Sequence, residues 1–261
     1  MSLSFDALAA QFDDQRGLPA TALRHLVAFI NEISQGKSLT IIEPGVGTGR
    51  IALPLAAAGH QVVGVDISRA MLDACLEKAE ALNVLDRVTL IEDDATNQVS
   101  PDDMFDIGIF ASLLYLVPDW EAVLDELARV VKPGGAVIWV RERTEQSDAL
   151  TLWDIGWRTR VESAGYAHQS STPTEVDILN AMQRRWPDLV IEPLASWTFG
   201  QAVWEGRADY SSRLRALYPD IPDVDWERLV RDFLRWVEMA FPDPEQRLDG
   251  RVVLETVVAW T

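Results

Sequence analysis

At 261 residues the chain is long for one domain of the commonest size and short for two, so an α/β domain with an elaboration fits best. Hydrophobic residues make up 48% and charged residues 25%, enough for a sizeable core, which excludes disordered, collagenous and coiled-coil chains. The 41 acidic side chains outnumber the 23 basic ones for a formal charge of -18, and the only lysines are Lys37, Lys78 and Lys132, a balance that argues against a nucleic-acid partner.

The acid excess is spread evenly, with 21 acidic and 11 basic residues over 1–143 and 20 and 12 over the rest, as a solvated acidic surface requires. A single cysteine, Cys75, excludes an internal disulfide and a Cys-based zinc site, and a reducing compartment is allowed. Phe5, Asp6, Asp13 and Asp14 stand where a signal peptide carries basic residues, and the uncharged run Ile107 to Val117 is too short to span a bilayer. The expectation is a cytoplasmic protein with no membrane partner, monomeric or homodimeric.

A helix is predicted over Leu18–Ser34 from the apolar positions Leu23, Leu26, Val27 and Ile30. Strands rich in Val, Ile and Leu follow at Leu39–Glu43, Gln61–Asp66, Val88–Asp93, Phe105–Ala111 and Ala136–Arg141, a pattern expected for strands buried on both faces. Helices at Arg50–Ala58, Ser68–Leu82 and Asp119–Val131 alternate with them, Ser68 and Asp119 serving as N-caps and Gly59 and Pro133-Gly134-Gly135 as stops. This alternation builds a parallel sheet with helices on both faces. Past residue 143 eight of the ten tryptophans appear, amid predicted helices Thr174–Trp186, Gln201–Tyr218 and Val224–Phe241 and strands Val190–Phe199 and Arg251–Trp260. Most of these tryptophans are expected to be core anchors of a helical cover, with one or two lining an apolar substrate site.

The informative segment is Glu43-Pro44-Gly45-Val46-Gly47-Thr48-Gly49-Arg50, a strand running through an acid and three alternate glycines into a helix. Glycines there let the backbone turn and let a ligand approach without a Cβ in the way. Asp66 ends the second strand seventeen residues past Gly49, where a carboxylate can accept hydrogen bonds from ribose hydroxyls. Asp94, after the third strand, is placed to meet an adenine amino group; for either acid taken singly, a helix N-cap or a solvated loop is the commoner role. A dinucleotide site would want glycine where Arg50 stands, and Glu43 would repel pyrophosphate. Beside a cation Glu43 helps, which suits S-adenosylmethionine, a nucleoside with a protonated amino group, a sulfonium and no phosphate.

Over about residues 38 to 143 the chain resembles the class I S-adenosylmethionine-dependent methyltransferases. The residues carrying the resemblance are the Glu43 to Gly49 run, Val62-Val63-Gly64-Val65-Asp66-Ile67-Ser68 with Met71-Leu72, Asp93-Asp94-Ala95, Phe105-Asp106, Val117-Pro118-Asp119-Trp120 and Lys132-Pro133-Gly134-Gly135. The resemblance implies S-adenosylmethionine as cofactor, with Gly45, Gly47 and Gly49 under its methionine part and Asp66 on the ribose. It also implies Ile67 against the adenine face, Asp94 and Ala95 at the adenine edge, and the Ala111 backbone near the amino group. The fold it implies is a Rossmann-like, mostly parallel seven-stranded sheet with an antiparallel last strand, helices on both faces and a helical lid. Residues 1–37 would form an N-terminal lid and helix, 38–143 the cofactor-binding core, and 144–261 an acceptor-binding cover with the last two strands. Phe5 to Arg16 looks like the family's lid helix with phenylalanines in tyrosine places, and Arg16 is a candidate for the cofactor carboxylate, a surface arginine being the alternative. Tyr115-Leu116 stands where relatives often carry histidines.

Methyl transfer needs an acceptor atom held in line behind the methyl group with water excluded. Where the acceptor must lose a proton, Tyr115, Glu142 and His168 are the candidate catalytic residues, while His60, before the second strand, reads as a surface residue. Lys132-Pro133-Gly134-Gly135 reads as a structural turn, and Cys75 falls in a helix away from the candidate pocket. No Asn-Pro-Pro-Tyr run and no Pro-Cys pair is present. With the acidic charge, this favours a small-molecule acceptor, then a protein side chain. A non-catalytic S-adenosylmethionine-binding protein and a nicotinamide-dependent oxidoreductase are the alternatives.

Overall fold

The computed structural model describes residues 18–166, 173–206 and 221–261. The expected lid segment with Arg16, His168 and most of the expected Gln201–Tyr218 helix lie outside the described residues; residues 203–206 are helical. In chain order the main elements are α1 (Ala20–Ser34), β1 (Thr40–Pro44), α2 (Ala52–Ala57), β2 (Gln61–Asp66), α3 (Arg69–Ala81) and β3 (Val88–Glu92). There follow β4 (Phe105–Ala111), α4 (Trp120–Val130), β5 (Val131–Gln146), α5 (Asp148–Ser163), α6 (Glu175–Arg185), β6 (Leu189–Ala202), α7 (Asp223–Ala240) and β7 (Arg247–Trp260).

The seven strands form one sheet in the order β3-β2-β1-β4-β5-β7-β6. β1 pairs in parallel with β2 and β4, β2 with β3, and β4 with β5. Gly134 and Gly135 exchange hydrogen bonds with Thr261 while Ser147 donates to Asp249, so β7 runs antiparallel to β5. Val203 donates to Gln246 and the Thr256 hydroxyl to Glu192, so β6 also opposes β7. The last strand is therefore inside the sheet and antiparallel, as the sequence reading expects.

The chain clusters into two compact units. The first comprises residues 1–142, 171–195 and 254–261; the second comprises 143–170 and 196–253. Segments 171–195 and 254–261, grouped by sequence with the cover, thus fall in the first unit. Its core is mainly aliphatic, with Ile42, Val65, Leu124, Leu127, Val137 and Val257 packed with Phe110 and Trp139. Here α3 starts at Ser68, whose hydroxyl accepts the Met71 N–H as an N-cap. Asp119 occupies the N-cap position of α4 without a side-chain cap bond.

Three sequence expectations need correction. β5 begins at Val131 rather than Ala136: Phe105 pairs with Val131 and Ile107 with Ala136, so Lys132 to Gly135 is a bulge within the strand. Lys132 closes that bulge through a 2.6 Å ion pair to Asp106, whose other oxygen accepts the Thr40 N–H. β3 has no buried residue, because it is the edge of the sheet rather than a strand covered on both faces. His60 is buried, not on the surface. Its Nδ1 accepts the Leu39 N–H and its Nε2 faces Asn31 Oδ1 at 3.1 Å, an arrangement that needs the neutral ring with the proton on Nε2.

The second unit is built on aromatic side chains. Trp153, Trp157, Trp226, Phe233 and Phe241 form its centre, with Trp153 edge-on to Phe233 at 5.1 Å and Trp157 edge-on to Phe233 at 5.4 Å. Arg160 lies 4.8 Å over the Trp236 ring.

Candidate active site

The functional residues expected within 38–143 lie where the parallel strands end, the edge at which open α/β sheets bind ligands. Gly45 and Val46 both donate to the Val65 carbonyl, which turns the chain back over the end of β2. Gly47 has φ +53 and, among the described residues, nothing near the position a Cβ would take, so a ligand can approach the backbone there without meeting a side chain of these residues. Gly49 has φ +83 and lies directly over Cys75, whose sulfur would stand 2.6 Å from a Cβ. Cys75 thus supports the glycine turn from behind, closer to it than its place in the sequence suggests. Leu113, in the loop after β4, packs on Gly45 from the other side.

Asp66 is held firmly. Its Oδ2 accepts the Gly47 N–H and its Oδ1 the Ser68 N–H, each at 2.9 Å, leaving each oxygen further acceptor capacity. Beside it Ile67 is 52% exposed, an uncovered aliphatic side chain at the strand end. Asp94 is exposed and its Oδ1 accepts from the backbone and hydroxyl of Thr96, an Asx-type turn. The Ala95 methyl is in the core, so this residue offers the edge only its backbone. Ala111, half-buried, ends β4 opposite Val140, and Ser112 follows with φ +56.

Glu43 is buried at 4% exposure, and its Oε2 has no hydrogen-bond partner among the described residues. Burial pushes its carboxyl up to about 8, against the opposing pull of the Arg50 charge and the Ala52 N–H. A carboxyl in that state is poised for a cation: one placed on Oε2 would satisfy the oxygen and restore its charge.

In β5, just past the level at which β4 ends, the side chains of Arg141 and Glu142 point to opposite faces. Arg141 donates through Nε and Nη2 to Glu255 and through Nη1 to Glu175, and lies 5.2 Å over the Trp139 ring. Glu142 meets Arg50 at 3.6 Å. Tyr115 is half-buried near this cluster, and burial first, then the Glu175 charge, pushes its phenol up to about 12.

Residues 41–135 match the family described as a methyltransferase domain. This stretch is a methyltransferase domain of the class I S-adenosylmethionine-dependent type. A demethylmenaquinone methyltransferase of Clavibacter sepedonicus is 29% identical over 199 residues, 76% of this chain and 79% of that protein. A phosphatidylethanolamine N-methyltransferase of Cereibacter sphaeroides is 38% identical over 100 residues, which cover 38% of this methyltransferase and only 49% of the relative. The crystal structure of the YcgJ protein from Bacillus subtilis has the same fold, with a TM-score of 0.57 at 16% identity over 90% of this chain and 98% of that one. No described helix of the methyltransferase is long and apolar enough to cross a membrane.

Sequence reasoning missed Arg141, Glu175 and Glu255. Arg141 and Glu255 are 114 positions apart, and only the strand order β5-β7 brings them together. The available signal was a run of alternating charges, Arg141-Glu142-Arg143, continuing an apolar strand. In sequence Arg50 reads only as the residue that spoils a dinucleotide motif, although it ends the glycine turn of the methyltransferase and its charge acts on Glu43.

Proposed function

We propose that the chain transfers a methyl group from S-adenosylmethionine to a small-molecule acceptor. The observation that carries the reading is the buried Oε2 of Glu43, without a hydrogen-bond partner among the described residues, beside a glycine turn where no described atom fills the Cβ position of Gly47. That pairing suits a ligand whose polar end is cationic and disfavours pyrophosphate. When bound, S-adenosylmethionine supplies an electrophilic methyl group on a sulfonium and leaves as the neutral thioether S-adenosylhomocysteine. Glu43 receives the cofactor's amino group, with the Ala111 backbone near it, and Gly45, Gly47 and Gly49 underlie the methionine. The free acceptor capacity of Asp66 takes the ribose hydroxyls. Ile67 covers one adenine face, and Asp94 with the Ala95 backbone borders the adenine edge.

Near the acceptor, Tyr115 keeps its proton at neutral pH and serves as a hydrogen-bond donor rather than a base. Glu142, half-exposed at the strand edge, is the carboxylate available for a proton. A formal charge of -18 supports a small molecule over RNA or DNA, because phosphate backbones would meet mostly carboxylates.

The test is Asp66→Ala. The variant loses the ribose contacts and the staple to Gly47, so S-adenosylhomocysteine should bind about tenfold or more weakly by calorimetry. Unchanged affinity would overturn the assignment. The acceptor is best sought with a labelled methyl donor in a metabolite extract, where labelling confined to macromolecules would refute the small-molecule reading.

A further inference from the structure

Arg50 pairs with Glu142, and its charge also acts on Glu43, so one guanidinium serves two carboxylates. Arg50 is rooted in the glycine turn after β1, yet its Nη1 reaches Glu142 of β5, two residues past the Val140 that faces the end of β4 and two strands away in the order β1-β4-β5. The arginine therefore spans the carboxyl end of β4, the edge where the cofactor's methionine part would lie. Its side chain is 16% exposed and that of Glu142 40% exposed. The 3.6 Å contact is loose beside the 2.7–2.9 Å usual for charge-assisted bonds to a guanidinium, and a partly exposed pair of this kind gives little stability. On the same turn Glu43 has a buried oxygen with no hydrogen-bond partner among the described residues. A ligand carrying an ammonium and a carboxylate on one carbon completes this set: the ammonium meets Glu43, and the carboxylate competes with Glu142 for Arg50.

Building on the S-adenosylmethionine reading above, we propose that Arg50 exchanges partners when the cofactor binds, leaving Glu142 to pair with the methionine carboxylate. The exchange makes the site sequential. Before the cofactor arrives, Glu142 is paired with Arg50; afterwards it is a half-exposed carboxylate released from that pair, beside the end of β4. There it takes the proton that an acceptor hydroxyl or amine loses as the acceptor's lone pair bonds to the methyl carbon and the carbon–sulfur pair returns to sulfur. The acceptor accordingly binds productively only after the cofactor.

Two ligands separate this idea from the site assignment: S-adenosylhomocysteine, which carries the amino acid, and 5′-methylthioadenosine, which lacks it. Calorimetry on the full chain should show Glu142→Gln binding S-adenosylhomocysteine about two- to fivefold more tightly, because a competitor for Arg50 is gone. Arg50→Gln should bind it about tenfold or more weakly. Both variants should bind 5′-methylthioadenosine as the wild type does, which also reports that the site is folded. Unchanged or weaker S-adenosylhomocysteine binding by Glu142→Gln, with the wild type binding normally, would overturn the partner exchange alone. Failure of the wild type to bind either ligand would overturn the site assignment and this proposal together.

Discussion

The two compact units solve the same packing problem with different side chains. The first buries an aliphatic sheet whose turns carry left-handed glycines, and its candidate cofactor residues gather beyond the carboxyl ends of the strands. The second buries a cluster of tryptophan and phenylalanine rings between α5 and α7, with Gly156 making room for the Trp236 ring. Aliphatic strands held in parallel register fix where each strand ends, so the acids and glycines just beyond those ends are positioned by the sheet itself. Ring clusters fill volume with few residues but place no row of backbone ends. The difference explains why every expected cofactor residue that is described lies in the first unit.

The largest effect that would test this contrast comes from Phe233, buried where Trp153 and Trp157 meet it edge-on. Phe233→Ala should cost about 3–5 kcal/mol in denaturant unfolding. If the cofactor site rests on the aliphatic unit, the folded fraction should still bind S-adenosylhomocysteine within about twofold. A parallel collapse of affinity would show that the aromatic unit helps to form the site.

A smaller effect should come from His60, which ties β1 to α1 inside the aliphatic unit through Leu39 and Asn31. Burial lowers its pKa below 6.5, so at mildly acid pH the unfolded chain binds a proton that the folded chain refuses. Stability contributed by the neutral ring is therefore present above about pH 6.5 and is lost as the pH falls below it, with a slope of at most about 1.4 kcal/mol per pH unit. Replacing His60 with Asn should remove that slope from unfolding curves measured between about pH 5 and 7. A slope that survives would assign it to other groups.

Much of the first unit was legible because its signals are local. β2 was bounded to the residue, and the Glu43 to Gly49 turn, Asp66 and the Ser68 cap each announce themselves within a few positions. What escaped depends on distant partners. The polar stretch from Glu142 to Gln146 becomes strand only because β7 pairs with it, as the Ser147 to Asp249 hydrogen bond shows. Lys132 to Gly135 has turn chemistry and does bend, but β4 on one side and Thr261 on the other keep it in the sheet. His60 reads as a surface residue because the groups that satisfy its ring lie 21 and 29 positions earlier. The Arg50 to Glu142 contact spans 92 positions, and no local pattern could have shown it.

The smallest of these effects would also show how finely local chemistry is written into the first unit. Ser68 and Asp119 both precede helices and both read as N-caps, but only the Ser68 hydroxyl accepts a first-turn N–H, from Met71 at 3.2 Å. Ser68→Ala should therefore cost about 1 kcal/mol, the usual value of a cap bond. Asp119→Ala should cost only the interaction of its charge with the start of α4, about 0.3–1 kcal/mol and screened by salt. Measuring both variants at low and high ionic strength separates the two contributions, since a cap hydrogen bond persists in salt and a dipole term fades. Equal, salt-sensitive losses would mean that Ser68 contributes no more than its position. A salt-independent loss confined to Ser68 would tie the start of α3, and with it the Asp66 to Ser68 segment beside the proposed ribose site, to that single hydroxyl.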